Sequence, residues 1–247
     1  MNNSSEIILS FFVPCYNEEN NIINTIKNIE FVIHKINIEC EILIIDDKSN
    51  DKTVEKIKDF QNHSKLNIVL IQNEFNKGLG TNYVDGAFIA KGNYYMLVNG
   101  DNAEPKEEIL KICDKLGKAD VIIPYFENKD NRRLIRKILS KTFTFLVNLL
   151  SGNNIPYYNG PALHKRYNVM RFSPDTFGFA YQAELITRII LEGFSYQTVK
   201  ILNKDRKQGT SSAFSFQNIL SVIHSLLQIA LRRLRFILFY RNKNDKK

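Results

Sequence analysis

The feature that most limits this chain is an alternation repeated four times before residue 117. A short unbroken apolar run is followed by a polar loop, then by a stretch with apolar residues at helical spacing. The runs 7–13, 41–45, 66–71 and 94–98 read as buried strands, being short, rich in Ile, Val, Leu and aromatic residues, and bounded by turn formers. The segment 20–36 carries apolar residues at 22, 23, 26, 29, 32, 33 and 36, the one-sided pattern of an amphipathic helix. Helices are predicted again over 51–60, 79–90 and 107–116, and a fifth strand over 120–124. Strands that alternate with helices form a parallel sheet with right-handed crossovers, because a strand returning in the same direction needs a covering connection. The fold class is therefore α/β, with a mostly parallel central sheet and flanking helices. The loops that follow the strands then share one sheet edge, which is where open α/β sheets bind ligands.

Those loops carry the chemistry. The fourth strand runs into Asn99-Gly100-Asp101, which sets a carboxylate just beyond a strand end, and Pro105 opens a helix with Glu107 and Glu108 in its first turn. After the first strand come Pro14-Cys15-Tyr16-Asn17-Glu18-Glu19, where Pro14 stops the strand and Tyr16 offers a flat face for a base. After the second come Asp46-Asp47-Lys48-Ser49-Asn50-Asp51, whose carboxylates suit a base N–H or a ribose hydroxyl, with Asp51 placed to cap the next helix. After the third, Asn76-Lys77-Gly78 turns into a helix, where Lys77 is positioned to meet a phosphate. Taken singly, each loop reads equally well as a strand end or a capping turn.

The second half is less regular. Residues 132–150 are basic at the start and apolar toward the end, 152–161 are loop-rich, 179–192 read as a helix closed by Gly193, and 194–202 as a strand. A last helix over 216–240 gathers its polar residues at 217, 218, 221, 224, 225, 228, 232 and 235 on one stripe. It fits either a helix docked on the domain or one lying in a membrane interface, with Arg232, Arg233 and Arg235 near headgroups. After residue 200 ten Lys or Arg face only Asp205 and Asp245, so this tail carries an excess equal to the whole chain's formal net charge of +8. Such a basic end suits an anionic membrane surface, a phosphorylated partner or nucleic acid. The tail lacks interleaved exposed aromatics, which argues against nucleic acid. Cys15, Cys40 and Cys113, like the four histidines, show no metal-ligand spacing, and with no signal peptide in the first residues a reduced, cytoplasmic protein is expected.

In this order, each after a buried strand, the loops resemble the family 2 glycosyltransferases, in particular the branch similar to dolichyl- or polyprenyl-phosphate sugar synthases. The resemblance is strong over 7–125 and weaker to about 212. It implies a nucleotide-diphospho-sugar transferase (GT-A) fold and an inverting transfer from a nucleotide-diphospho-sugar to a lipid-phosphate or glycan acceptor in cell-envelope synthesis. It implies that Pro14, Tyr16, Asn17, Glu18, Asp46 and Asp47 surround the nucleoside, with Asn76, Lys77 and Gly78 beside it, and that Gly86 and Ala90-Lys91-Gly92 belong to the same pattern. The family's Asp-x-Asp, which holds Mg²⁺ or Mn²⁺ on the diphosphate, falls on Asn99-Gly100-Asp101. Only Asp101 remains there as a carboxylate ligand, and one carboxylate with substrate phosphates is a workable Mg²⁺ site.

Glu184, in Gly178-Phe179-Ala180-Tyr181-Gln182-Ala183-Glu184, is similar to an acceptor-side carboxylate. Arg206, in Arg206-Lys207-Gln208-Gly209-Thr210-Ser211, resembles a phosphate-gripping loop. Tyr157-Tyr158-Asn159-Gly160-Pro161 is expected to line the acceptor side. The division expected is a catalytic domain over 1–212, with a donor half 7–125 and an acceptor half 126–212, followed by a basic helix and tail over 213–247. The protein is expected to sit peripherally on the inner face of the membrane. Dinucleotide oxidoreductases are excluded because no glycine fingerprint follows the first strand. The alternative is an inactive glycosyltransferase-like binding subunit, which Asn99 in place of Asp favours.

Overall fold

The computed structural model describes residues 6–126, 134–174, 178, 180–202 and 216–239. The order is β1 (Leu9–Cys15), α1 (Ile22–Ile36), β2 (Cys40–Asp46), α2 (Thr53–His63), β3 (Ile68–Gln72), α3 (Leu79–Ile89), β4 (Tyr94–Leu97) and α4 (Lys106–Cys113). It continues through β5 (Val121–Phe126), α5 (Leu134–Ser151), β6 (Leu163–Lys165), α6 (Arg166–Arg171), α7 (Tyr181–Leu191), β7 (Tyr196–Ile201) and α8 (Phe216–Phe239). The strands make one sheet in the order β3-β2-β1-β4-β6-β5-β7. All neighbours are parallel except where β6 runs against β4 and β5. Every strand and helix expected from periodicity is present. The short β6 and α6 were not anticipated, since a three-residue strand is too brief to show a period.

The continuous apolar runs are explained by helices on both faces of the sheet. In β1, Leu9, Phe11 and Val13 face the layer of α1 and α4, packing with Ile22, Ile26, Ile29, Ile109 and Ile112. Phe12 points the other way, with Leu43, Ile45 and Leu97, into a second core built from α3, α5, α7 and α8. Each such side chain, fully withdrawn from water, contributes about 1.5–3 kcal/mol. Helix α3 comes very close to the sheet at Gly86, where a Cβ would sit 2.3 Å from the Tyr95 hydroxyl and 3.0 Å from Phe12. That hydroxyl donates to the Tyr83 carbonyl at 3.0 Å. Gly86 is thus a packing residue of the second core.

Helix α8 is docked on the domain by a face that mixes apolar residues with part of its polar stripe. Ser225 is fully buried and Ile229 nearly so. Arg232 forms an ion pair with Glu184 of α7 at 2.7 Å. Arg233 donates to the Leu149 and Leu150 carbonyls at 2.9 and 3.3 Å, so a cation meets the C-terminal end of α5. This corrects the expectation that Arg232 and Arg233 lie near headgroups: both are engaged with the domain. Among the described residues, no helix is long and apolar enough to cross a membrane.

β6 also introduces a buried histidine. His164 is fully buried, its ring lies 6.2 Å from that of Tyr83, and neither ring nitrogen has a hydrogen-bond partner among the described residues. Burial penalises the imidazolium and pulls the pKa down from 6.5 to about 3. The sign follows: the unfolded chain binds this proton below pH 6.5 while the folded chain refuses it until about pH 3, so stability drains as pH falls through that window. The loss approaches about 1.4 kcal/mol per pH unit. His164→Leu is therefore expected to flatten the acid side of the stability curve, read from urea midpoints. Parallel curves for the two proteins would remove His164 as the cause.

Candidate active site

The parallel strands β1, β2, β3 and β4 end on one edge of the sheet, and the four loops that follow them are hydrogen-bonded into a single block. The first and second are laced together. Asn17 N donates to Ser49 Oγ at 2.9 Å, Glu18 N to Thr53 Oγ1 at 2.8 Å, and Glu19 N to Asp51 Oδ2 at 3.1 Å. In return Asn50 N donates to Asn17 Oδ1 at 2.8 Å and Lys52 N to Glu19 Oε2 at 3.1 Å. Asp51 also accepts from Thr53 N at 3.0 Å, but from one residue before the N-cap, Lys52, instead of from the cap position expected of it; burial pushes its carboxyl pKa up, and these bonds outweigh that and hold it below the usual range. The Glu18 carboxylate accepts from the Asn21 amide at 2.7 Å, which leaves Tyr16, 48% exposed, as the open face of this loop.

Asp47 joins the second loop to the third. Its Oδ1 accepts from Lys77 N at 2.8 Å and from Asn73 Nδ2 at 2.9 Å, and its Oδ2 accepts from Gly78 N at 2.9 Å. Asn76 adds a bond to the Asp47 carbonyl at 3.3 Å. Gly78 has φ +81 and ψ 159, a backbone conformation essentially reserved for glycine. The Lys77 ammonium is paired with Asp85 at 3.0 Å, so the predicted phosphate contact requires it to exchange partners. Asp46 is buried and accepts from Ser49 N at 3.1 Å. Cys15 Sγ lies 3.8 Å from Asp46 Oδ1; burial first, and that carboxylate second, push its thiol far up, so it is no nucleophile at neutral pH.

The fourth loop is anchored to the first and to α1. Gly100 N donates to the Pro14 carbonyl at 3.2 Å, and Thr25 Oγ1 donates to the Gly100 carbonyl at 3.1 Å. Asn28 donates to Asn102 Oδ1 at 2.8 Å. Among the described residues, three of the four non-glycine residues with positive φ belong to these loops: Asn17 at 55°, Lys48 at 72° and Asn102 at 57°. Such conformations concentrate where a fold holds loops to a task, and asparagine tolerates them best. Asp101 turns its Oδ1 back onto Ala103 N at 3.0 Å.

Beside Asp101 is a feature that the sequence did not disclose. The Glu104 carboxylate is buried and accepts both from Asn99 N, at 3.1 Å, and from Asn99 Nδ2, at 2.8 Å. Burial raises the Glu104 pKa, and the two Asn99 bonds act the other way. Asn99 is therefore matched to an acid behind it, and an aspartate there would set two carboxylates in contact. With the Asn99 nitrogen committed to Glu104, its amide oxygen is the atom suited to a cation. Among the described residues there is no group of three His, Cys, Asp or Glu that could hold a metal ion. The donor set fits Mg²⁺ or Mn²⁺ only as one carboxylate, one amide oxygen, and oxygens from substrate and water.

Glu184 lies apart from this edge block. Glu184 is in the first turn of α7, buried and paired with Arg232. Arg206 lies outside the described residues. Tyr158 corrects an expectation: it is 1% exposed and donates to Asn148 Oδ1 of α5 at 2.7 Å, so it is core and does not line an acceptor surface. Its neighbour Tyr157 stacks edge-on with Phe126 at the end of β5.

A mostly parallel α/β sheet with its loops gathered at the ends of β1–β4, and an acidic turn directly after β4, has the nucleotide-diphospho-sugar transferase (GT-A) architecture. The chain belongs to glycosyl transferase family 2, whose family model matches residues 10–177. It is 23% identical over 221 residues to an undecaprenyl-phosphate 4-deoxy-4-formamido-L-arabinose transferase of Pectobacterium atrosepticum, covering 89% of this chain and 66% of that one. It is 28% identical over 138 residues to a dolichol-phosphate mannosyltransferase of Pyrococcus furiosus, covering 54% and 38%. The chain thus spans just under two thirds of the first relative. In fold it is similar to glucosyl-3-phosphoglycerate synthase from Mycobacterium tuberculosis, solved with Mn²⁺, UDP and phosphoglyceric acid, with a TM-score of 0.69 at 12% identity over 89% of this chain and 78% of that one.

The Asn99–Glu104 match makes a sharp expectation. Asn99→Asp should destabilise the protein by about 1–3 kcal/mol, the range for leaving a buried polar group wrongly partnered. Adding Glu104→Gln should restore most of that loss, because the amide again donates to a carboxylate. Urea melts of the single and double variants measure both. An Asn99→Asp protein as stable as the parent at neutral pH would contradict the pairing.

Proposed function

We propose that this protein is an inverting glycosyltransferase that moves a sugar from a nucleotide-diphospho-sugar to a lipid phosphate of the polyprenyl type, in the synthesis of cell-envelope polysaccharide or glycoconjugate. The observation that carries the reading is the hydrogen-bonded block of four loops at one sheet edge, with an exposed aromatic, Tyr16, at one side and Asp101 at the other. In this reading residues 7–125 bind the donor and 126–212 receive the acceptor. Tyr16 stacks on the base, and the loop of Asn17 and Glu18 borders the ribose. Asp46 and Asp47 fix the turn that carries Asn76, Lys77 and Gly78.

Asp101 and the Asn99 amide oxygen would hold Mg²⁺ or Mn²⁺, which when bound supplies positive charge against the leaving diphosphate. Arg206 is assigned to the same diphosphate; β7 ends on the same sheet edge, only a few residues before it. The acceptor oxygen attacks the anomeric carbon from the face opposite the nucleoside diphosphate, one C–O bond forming as the other breaks.

The choice between acceptors turns on Glu184. A hydroxyl acceptor has to lose a proton, and Glu184 is the candidate base. Its carboxylate is buried and held by Arg232 at 2.7 Å, which supports an acceptor that is already an anion and needs no base. The two relatives named for lipid-phosphate sugar transfer agree with that choice. Such an acceptor sets the protein at a membrane surface, as a peripheral protein on the cytoplasmic face. The second reading, an inactive binding subunit, is favoured by Asn99 in place of Asp.

A thermal-shift panel of nucleoside diphosphates with Mn²⁺, with Mg²⁺ and with chelator tests the donor site. A nucleotide at a hundred times its dissociation constant should stabilise the protein by about 2.7 kcal/mol. No shift with any nucleotide would overturn the donor reading. In a transfer assay with a polyprenyl phosphate, Asp101→Asn should lower turnover at least about a hundredfold, the scale of a lost electrostatic contact to the leaving group. Wild-type protein that binds nucleotide yet transfers no sugar to any acceptor would favour the binding subunit.

A further inference from the structure

Helix α8 keeps Leu226 and Ile229 against the domain yet turns most of its leucines outward. A surface helix normally buries its apolar stripe and shows its polar one. Here Ser225 and Arg232 face the domain, while Leu220, Ile223, Leu227, Leu231, Leu234 and Leu238 face outward, each about half exposed at 49–58%. Their spacing of three or four residues places them on one line along a helix of 24 residues. Helix α5 packs alongside and exposes Ile138, Phe145 and Leu149, which also share a line; Arg233 of α8 bonds to the Leu149 carbonyl. The two helices therefore present a broad apolar surface that the domain leaves uncovered, larger than the scattered apolar residues normal on a surface.

Charge decides what covers it. The sequence of α5 and α8 contains no Asp or Glu, and with Arg232 and Arg233 engaged with the domain, the exposed Lys141 and Arg235 put positive charge on this surface. A second copy of this chain would bring cations against cations with no acid on either helix to answer them. A partner both apolar and anionic answers both features, and a bilayer interface with acidic headgroups is such a partner. Neither helix is long and apolar enough to cross a membrane, which leaves a helix pair lying flat in the interface.

We infer that α5 and α8 together form a docking surface for an anionic membrane, held to the catalytic domain by the buried Glu184–Arg232 pair and by Arg233 on the end of α5. The Arg232 and Arg233 side chains act on the protein side of this surface, and Lys141 and Arg235, both exposed, act on the lipid side. The inference deepens the membrane location proposed above, but it stands on these two helices alone.

The test is co-sedimentation of the full chain with vesicles, in the absence of donor and acceptor, so that failure of the transfer reading leaves it intact. Vesicles of phosphatidylcholine alone are compared with vesicles that also contain phosphatidylglycerol, at low and high salt. Binding should be stronger to the anionic vesicles and weaken with salt. The triple variant Leu227→Ser, Leu231→Ser, Leu234→Ser should weaken it at least about tenfold, since insertion strength scales with buried apolar area. These positions are exposed, so the variant should melt as the parent does. A variant that melts early is replaced by Arg235→Glu with Lys141→Glu, which should abolish the preference for anionic vesicles. Vesicle binding unchanged by either variant would overturn the inference. So would a parent that ignores vesicles and instead forms a dimer that the triple variant dissolves.

Discussion

The Asp47 carboxylate is the interaction on which the edge of the sheet depends. It is almost wholly withdrawn from solvent, and three donors from the third loop converge on its two oxygens. A carboxylate held by several backbone and side-chain donors fixes the geometry of whatever donates to it. Here it fixes the turn of residues 76–78, and through Asp46 and Ser49 the second loop beside it. The lacing of Asn17, Glu18 and Glu19 onto that second loop extends the order to β1, and the bond of Gly100 to Pro14 extends it to β4. Removing the carboxylate would strand three donors at once, a larger loss than any single surface contact could cause.

Much of this was legible beforehand. The strands could be read because helices cover both faces of the sheet, so Ile42 to Ile45 form an unbroken apolar run with nothing polar to confuse the period. The candidate loops could be read because each follows such a run. What stayed hidden were relations between distant residues. No local pattern shows that Asn99 donates to Glu104, because a glutamate before a proline reads as helix-start chemistry. His164 was invisible because it belongs to a strand of three residues. The polar stripe of α8 was correctly located, but a stripe does not state which way it faces. That depended on Glu184 lying across from it on another helix.

Glu184 and Arg232 also show how one pair serves two halves of an argument. A buried ion pair contributes little net stability, because desolvation offsets most of the attraction, yet removing one partner is costly. Its value is specificity: it sets the face by which α8 sits on α7 and so decides that leucines, not serines, look outward. The same contact occupies the carboxylate that would otherwise be the readiest base near the acceptor half. The proposed preference for an anionic acceptor and the outward apolar face thus rest on the same contact.

The seam made by β6 has a consequence for cooperativity. The sheet passes from β4 to β5 only through Leu163–Lys165, with three residue pairs on one side and two on the other. β1, β2 and β3 are paired along five to seven residues, and β5 and β7 along six. The ladder is therefore thinnest at β6. Proteins open in cooperative units bounded by such thin places. On this geometry the amides of β6 exchange sooner than those of β1–β3, while the two hydrophobic cores, which run under the whole sheet, hold β5 and β7 to the rest.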